Sequence, residues 1–264
     1  MLFGLTAQVL TFAFATPLFL GLQLGSSVTA RRPHPDNIRI PRAVLASLPF
    51  IFVVGFMVPS HAMILPAPGV ISVDWKQIAI AIWQPWPAYV SILSTVAYYV
   101  LSPFFSNNHR ASMSGLRWVY AFAFLNASVS HLVSWVLSIA TVVVPGLFQA
   151  QFVESLHPAK VFEIPLPWSG LEVETVAQGV HAFLRWDYLI GSAGVLIWAL
   201  SLYVVAHRQI LNTVSWPSLL LKVGVLTALT GPTGAAVELM WERDELVFSE
   251  VGGSRQITKA KKSS

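Results

Sequence analysis

Six long apolar stretches run along the chain, at about 2–25, 43–65, 78–101, 116–144, 188–206 and 219–240, and the segments between them gather prolines and charge. About 20 apolar residues in helical form match the hydrocarbon thickness of a bilayer, and within it only helices or closed barrels satisfy their own backbone. The pattern therefore predicts an all-α, polytopic transmembrane helical bundle. Composition agrees: 55% hydrophobic and 11% charged residues fit no ordinary soluble domain, and 264 residues leave no room for a separate one. A single domain over 1–264 is expected, with 249–264 a flexible tail. The first stretch has no Lys or Arg at its start, so an uncleaved span is expected rather than a signal peptide.

Loop charge sets an orientation. Arg31, Arg32, Arg39 and Arg42 follow the first stretch, Arg110 and Arg117 the third, and Arg208 the fifth, which marks these loops as cytoplasmic. The loop after the fourth stretch carries Glu154, Glu163, Glu172 and Glu174 against Lys160 and suits the opposite side. Six spans then place the C-terminus in the lumen. Yet the tail Lys259-Ala260-Lys261-Lys262-Ser263-Ser264 looks like a dilysine retrieval signal, which works from the cytosol and points to the endoplasmic reticulum. A seventh or re-entrant span would reconcile the two, and 145–184, apolar but broken by Pro145, Pro165 and Pro167, is where it is expected. The fold expectation is accordingly six or seven spans.

Two sequence features break the apolar monotony inside the spans. Pro85 and Pro87, flanked by Trp83 and Trp86, should interrupt the third span and free backbone carbonyls. Asn126, Ser130, Ser134 and Ser138 recur every four residues and so share one helix face, with His131 and Trp135 beside it. Such a face serves either helix packing or the lining of a pocket.

Charge within the spans narrows the chemistry. Glu238 lies in Gly231-Pro232-Thr233-Gly234-Ala235-Ala236-Val237-Glu238-Leu239-Met240-Trp241, where a carboxyl must face the interior, find a partner or stay protonated. Asp187, in Arg185-Trp186-Asp187-Tyr188, either caps a helix or pairs with Arg185, or does chemistry. His131 lacks a second histidine or acid one turn on, so no metal site is expected. The run Glu242-Arg243-Asp244-Glu245 reads as a solvated helix end with internal ion pairs.

Several classes are excluded. The chain has no cysteine, no phosphate-binding glycine loop, no pair of Asp-rich diphosphate motifs and no basic-aromatic run for nucleic acid; its net charge is only +4. Acids, aromatics and an apolar interior remain. Together they suit protonation of an alkene or epoxide followed by ring closure of a shielded carbocation, with Trp83, Trp86, Trp135, Trp186, Trp198 and Trp241 available to stabilise the cation.

The Arg185-Trp186-Asp187-Tyr188-Leu189-Ile190 opening of a late span and the closing segment from Gly231-Pro232 to Trp241-Glu242-Arg243-Asp244-Glu245 resemble the fungal integral-membrane terpene cyclases of meroterpenoid biosynthesis. The resemblance implies a cofactor-free enzyme of the endoplasmic reticulum that cyclises a prenylated aromatic or polyketide, downstream of a prenyltransferase and a monooxygenase. It also implies an early and a late acid. The late one maps onto the segment from Glu238 to Asp244, with Asp187 also fitting a late-span acid, while the first two spans hold no Asp or Glu and the early one has no counterpart. The candidate site is therefore Glu238 and Asp187 as acids, with Asn126, Ser130, His131, Trp186, Tyr188 and Trp241 contacting the substrate. A sterol isomerase-like lipid isomerase and a non-catalytic scaffold or lipid-binding protein are the alternative readings.

Overall fold

The computed structural model describes residues 2–38, 40–105, 112–166, 168–170 and 173–262, the last of these as backbone alone after 249. Arg39, Arg110, Pro167, Glu172, Ser263 and Ser264 lie outside the described residues, as do the side chains of the Lys259–Lys262 signal. Twelve α-helices follow one another among the described residues. They are α1 (Leu2–Leu10), α2 (Phe12–Ser26), α3 (Val28–Arg31), α4 (Arg42–Phe52), α5 (Val58–Ile64), α6 (Val73–Trp83), α7 (Trp86–Leu101), α8 (Met113–Val143), α9 (Ala150–Ser155), α10 (Pro158–Val161), α11 (Val176–Leu211) and α12 (Trp216–Lys262). A π-helical turn, Val53–Met57, joins α4 to α5 into one rod; Pro59 has no N–H to offer the Gly55 carbonyl, so the ladder is already short of a donor there.

By length and composition four helical stretches are long and apolar enough to cross a membrane: Arg42–Ile64, Met113–Val143, Val176–Leu211 and Trp216–Ser249, the last of which is folded back on itself at Gly231. Their outward faces carry large apolar side chains, Leu125, Val129 and Val136 on α8 and Leu220, Leu221 and Leu229 on α12 among them. In water such faces would associate; against lipid they are at rest. The other two expected spans are each split in two. Between α1 and α2 the backbone turns at Thr11 (φ 75°), and between α6 and α7 it turns at Gln84-Pro85, where the proline pair predicts the interruption. The 145–175 segment holds no spanning helix among its described residues. Instead α9 and α10 fold back on the end of α8, where the Ser138 hydroxyl donates to the Leu156 carbonyl at 2.8 Å.

The last long helix is a hairpin. Gly231 has φ 75° and ψ 167°, a conformation reserved almost wholly for glycine, and the chain reverses there. Lys222 Nζ lies 2.7 Å from Glu242 Oε2, although along a straight helix these residues would stand about 30 Å apart. Leu219 from the first arm shares a buried cluster with Ala236 and Leu239 from the second, against Ala199 and Tyr203 of α11. The first arm, Trp216–Thr230, is about 22 Å long, and the second, from Pro232 to Lys262, runs back beside it and on past its start for about 46 Å in all.

Both ends of the hairpin consequently meet the basic loops. Val247 packs with Ile38, Leu45, Leu116 and Ala206, and the Arg243 guanidinium donates to the Thr29 carbonyl at 2.7 Å. The reversal at Gly231, not a spanning helix in 145–175, brings the returning arm to the end of the bundle that holds Arg31, Arg32 and Arg208. A reporter that is glycosylated only in the lumen should stay unmodified after Ser264 and become modified when inserted at 168–170; modification of the C-terminal reporter would contradict this topology.

Candidate active site

Small residues let the arms of the hairpin approach α8 closely, and the space that remains between α4–α5, α8 and α11 is a cavity of about 1110 Å³. On α8, Phe122, Asn126, Ser130, His131 and Ser134 face it. The four-residue spacing of polar groups seen in the sequence is thus a pocket lining over its first three positions, while Ser138 lies beyond it, buried and bonded to Leu156. Pro49, Phe52, Phe56, Met57, Ser60 and His61 form the opposite wall, and Arg185, Tyr188 and Leu189 of α11 the third. The widened π-helical turn places Phe56 and Met57 on this wall, a common association of such turns with functional sites.

A strap closes the far end. Val161, Phe162, Glu163 and Ile164 cover the cavity, and four contacts hold them down. Trp135 stacks on Phe162 with ring centroids 4.2 Å apart, and the Trp186 indole N–H donates to the Pro165 carbonyl at 2.8 Å. Arg185 donates to the carbonyls of Glu163 and Lys160. Beyond the strap lies a second, polar chamber of about 460 Å³, walled by Glu154, Lys160, Gln178 and His181 and sharing Glu163 and Arg185 with the first.

The predicted site residues divide into three groups. Asn126, Ser130, His131 and Tyr188 line the cavity together, and Tyr188 meets Thr233 of the hairpin there. Asn126 spends its amide donor on the Phe122 carbonyl one turn back (2.8 Å), leaving its carbonyl oxygen for the cavity. His131 Nε2 lies 3.1 Å from the Ala228 carbonyl, which can only accept, so Nε2 is the donor. That carbonyl would normally bond the N–H of residue 232, which is a proline; His131 replaces the missing donor. Trp186 acts on the cavity only through the strap.

Asp187, Glu238 and Trp241 stand outside the lining. Asp187 Oδ1 accepts from the Ala13 N–H at 2.7 Å and caps α2, a helix far away in sequence, rather than its own helix or Arg185. Glu238 is half-buried beside Lys222 and Glu242 between the hairpin arms. Trp241 stacks on Tyr120 and donates to Glu245 Oε1 at 3.1 Å. The run 242–245 corrects the expectation of a solvated helix end: Arg243 and Asp244 are 2% and 3% exposed. Asp244 accepts from Arg243 at 2.5 Å and from the Tyr120 hydroxyl at 2.7 Å, while Arg117 grips Glu245 with two bonds at 2.5 and 2.7 Å.

Sequence reasoning missed the aromatic wall and the acid at its edge. The rings facing the cavity are Phe52, Phe56, Phe122, Phe162 and Tyr188, and none of the tryptophans is among them. Nothing in sequence separates a cavity phenylalanine from a lipid-facing one. Glu163, placed only in an acidic loop by sequence, is the acidic residue among those that line the cavity. Among the described residues no group of three or more His, Cys, Asp or Glu is placed to hold a metal.

Fold and cavity define a membrane-type helical bundle built around a half-open, largely apolar chamber with a few fixed polar groups. The family model of the CtvD domain matches residues 1–248, and the chain belongs to that family. It is 34% identical over 259 residues to Terpene cyclase ctvD of Aspergillus terreus, covering 92% of this chain and 67% of that one. Terpene cyclase penA of Penicillium crustosum is 30% identical over 194 residues (74% and 52% covered), and Terpene cyclase ascI of Acremonium egyptiacum 26% over 251 residues (93% and 62%). The chain spans about half to two thirds of the length of these curated relatives. No solved structure matches it. The family found is the one that the 185–190 and 231–245 segments resemble.

Two substitutions test the placements. Gly231→Ala forces a side chain into a glycine-only conformation with its Cβ about 3.1 Å from His131 Nδ1, and should cost about 1–3 kcal/mol of stability, read as a lowered midpoint in thermal unfolding in detergent. Asp187→Asn retains an acceptor for Ala13 and should unfold near the wild-type midpoint, whereas Asp187→Ala should lose about 1 kcal/mol. Equal loss in both would argue against the cap.

Proposed function

We propose that this chain performs acid-initiated cyclisation of a prenylated aromatic or polyketide, with the 1110 Å³ cavity as the reaction chamber. The observation that carries the reading is the chamber itself. Its size is at the upper end of ligand pockets, which run roughly 300–1,000 Å³, and suits a long apolar chain folded on itself. Phe52, Phe56, Phe122, Phe162 and Tyr188 offer ring faces to a migrating positive charge, and the strap covers one end of the chamber. The names of the relatives support the same chemistry, since each is called a terpene cyclase.

Within that reading Asn126, Ser130, His131 and Tyr188 orient the substrate by its oxygen atoms. Asn126 brings an acceptor and Ser130 a hydroxyl, and the His131 ring is fixed in direction by its bond to the Ala228 carbonyl. Trp186 serves through the strap, and Trp241 through the packing of the hairpin. No cofactor enters the reaction, because proton transfer and ring closure rearrange the substrate without changing its composition. An apolar product and substrate reach the chamber through the bilayer, and a cytosolic dilysine tail would keep the protein in the endoplasmic reticulum beside a prenyltransferase and a monooxygenase that make the substrate.

Microsomes containing the wild-type chain, fed prenylated phenols and their terminal epoxides, should yield a product of unchanged mass and altered retention. Ser130→Trp, which fills the chamber from α8, should abolish that product. Undiminished turnover by Ser130→Trp would show that the chemistry happens elsewhere.

A further inference from the structure

Phe52 borders two spaces at once. One is the reaction chamber. The other is a groove of about 670 Å³ bounded by Phe3 of α1, by α4 from Val44 to Phe52 and by α7 from Trp86 to Tyr99. The groove is open at its surface, where Val96, Tyr99 and Val100 of α7 carry exposed apolar side chains of the lipid-facing kind. Phe52, half-buried, is the residue common to the linings of groove and chamber.

The backbones around this boundary are in close contact. A Cβ on Gly55 would stand 3.1 Å from Val90 Cγ2, and one on Gly4 would stand 2.6 Å from Pro87 Cβ, so the π-helical turn and α1 are both pressed against α7. Rings fill the space between them. Phe56, on the chamber side, packs against Trp86, on the groove side, with centroids 4.7 Å apart, and Phe52 one turn earlier is the ring that meets both spaces. The groove also suits an apolar occupant. Its Ser94 and Thr95 hydroxyls donate to carbonyls of their own helix, Val90 at 2.6 Å and Ser91 at 2.9 Å, so they demand no hydrogen bond from what lies against them.

We infer that Phe52 is a specificity-determining residue, which sets the length of prenyl chain that is cyclised by closing the chamber against the groove. This rests on the cyclase reading above. A chain that folds within the chamber meets the Phe52 ring as part of its wall. A longer chain has surplus apolar length, and the neighbouring space that would take it lies behind that ring. Truncating the ring joins hollows of about 1110 and 670 Å³ and lets the surplus run into the groove. Discrimination of this kind comes from pocket size and leaves the bonds made and broken unchanged.

The test feeds microsomes containing the full chain a series of prenylated phenols and their terminal epoxides, from geranyl through farnesyl and geranylgeranyl to geranylfarnesyl. The readout is the ratio of kcat/KM between chain lengths. A variant that is merely less stable, or that has lost a ring beside the cation, lowers all rates together and leaves this ratio where it was. In Phe52→Ala the ratio of the chain one isoprene unit beyond the parent's optimum to that optimum should rise at least about 10-fold, the lower end of what a hydrophobic pocket discriminates by size. Phe52→Leu keeps most of the apolar bulk and should shift the ratio the same way by less. Adding Ser94→Trp to Phe52→Ala refills the groove from α7 and should restore the parent's ratio.

An unchanged ratio in both Phe52→Ala and Phe52→Leu, with product still formed by the parent chain, would overturn the assignment and leave the cyclase reading standing. A shift that survives Ser94→Trp would put the surplus chain elsewhere and contradict the part given to the groove. Absence of product from the parent chain on every feed would overturn both readings.

Discussion

One carbonyl oxygen organises this molecule. Pro232 removes the N–H that Ala228 would normally receive, Gly231 lets the chain reverse, and His131 from α8 closes the gap with its Nε2–H at 3.1 Å. Ala228 lies on the exposed outer surface of the bundle, and a carbonyl that faces lipid has no water to bond, so the histidine supports the reversal by supplying a partner. The vertex also admits no side chain, since a Cβ on Gly231 would meet His131 at 3.1 Å and one on Gly234 would meet Thr230 at 2.6 Å. From this point follow the return of the chain to the basic loops, the placement of Thr233 against Tyr188, and one boundary of the chamber.

The far end of the returning arm is anchored by charge rather than by apolar packing alone. Arg243 and Asp244 are almost wholly buried and bind each other, the Tyr120 hydroxyl and the Thr29 carbonyl. Burying such a pair costs desolvation that its attraction only roughly offsets, whereas removing one partner leaves a bare charge inside. The arrangement therefore fixes where the arm docks more than how strongly. Arg117 and Glu245 repeat the connection between the same two helices nearer the surface. With both ends of the hairpin fixed, α8 and α11 are held at the separation that leaves the cavity open between them.

Much of this was legible in the sequence, and what was not has physical causes. Apolar length revealed the long helices, the proline pair at 85 and 87 revealed the break in the third, and the spacing of Asn126, Ser130 and Ser134 revealed a face that does line a pocket. The reversal escaped because the apolar run at 219–240 has the same composition whether straight or doubled, and the partner of the Gly231-Pro232 break lies on α8, far away in sequence. Asp187 was legible as a cap but not as the cap of α2, since capping across 174 residues leaves no local pattern. Glu238 was legible as a carboxyl shielded from water, and the fold adds that Lys222 and Glu242 stand beside it between the arms of the hairpin.

The account depends on the chain turning back at Gly231, and the absence of native cysteine makes that directly measurable. Spin labels on cysteines introduced at Leu221 and Ser249, both exposed, report the separation of the two arms by pulsed electron resonance. An unbroken helix would hold them about 42 Å apart. A hairpin with arms side by side predicts a narrow distribution below about 25 Å. A distribution centred near 40 Å would contradict the reversal, and with it the docking of the arm and the shape of the chamber.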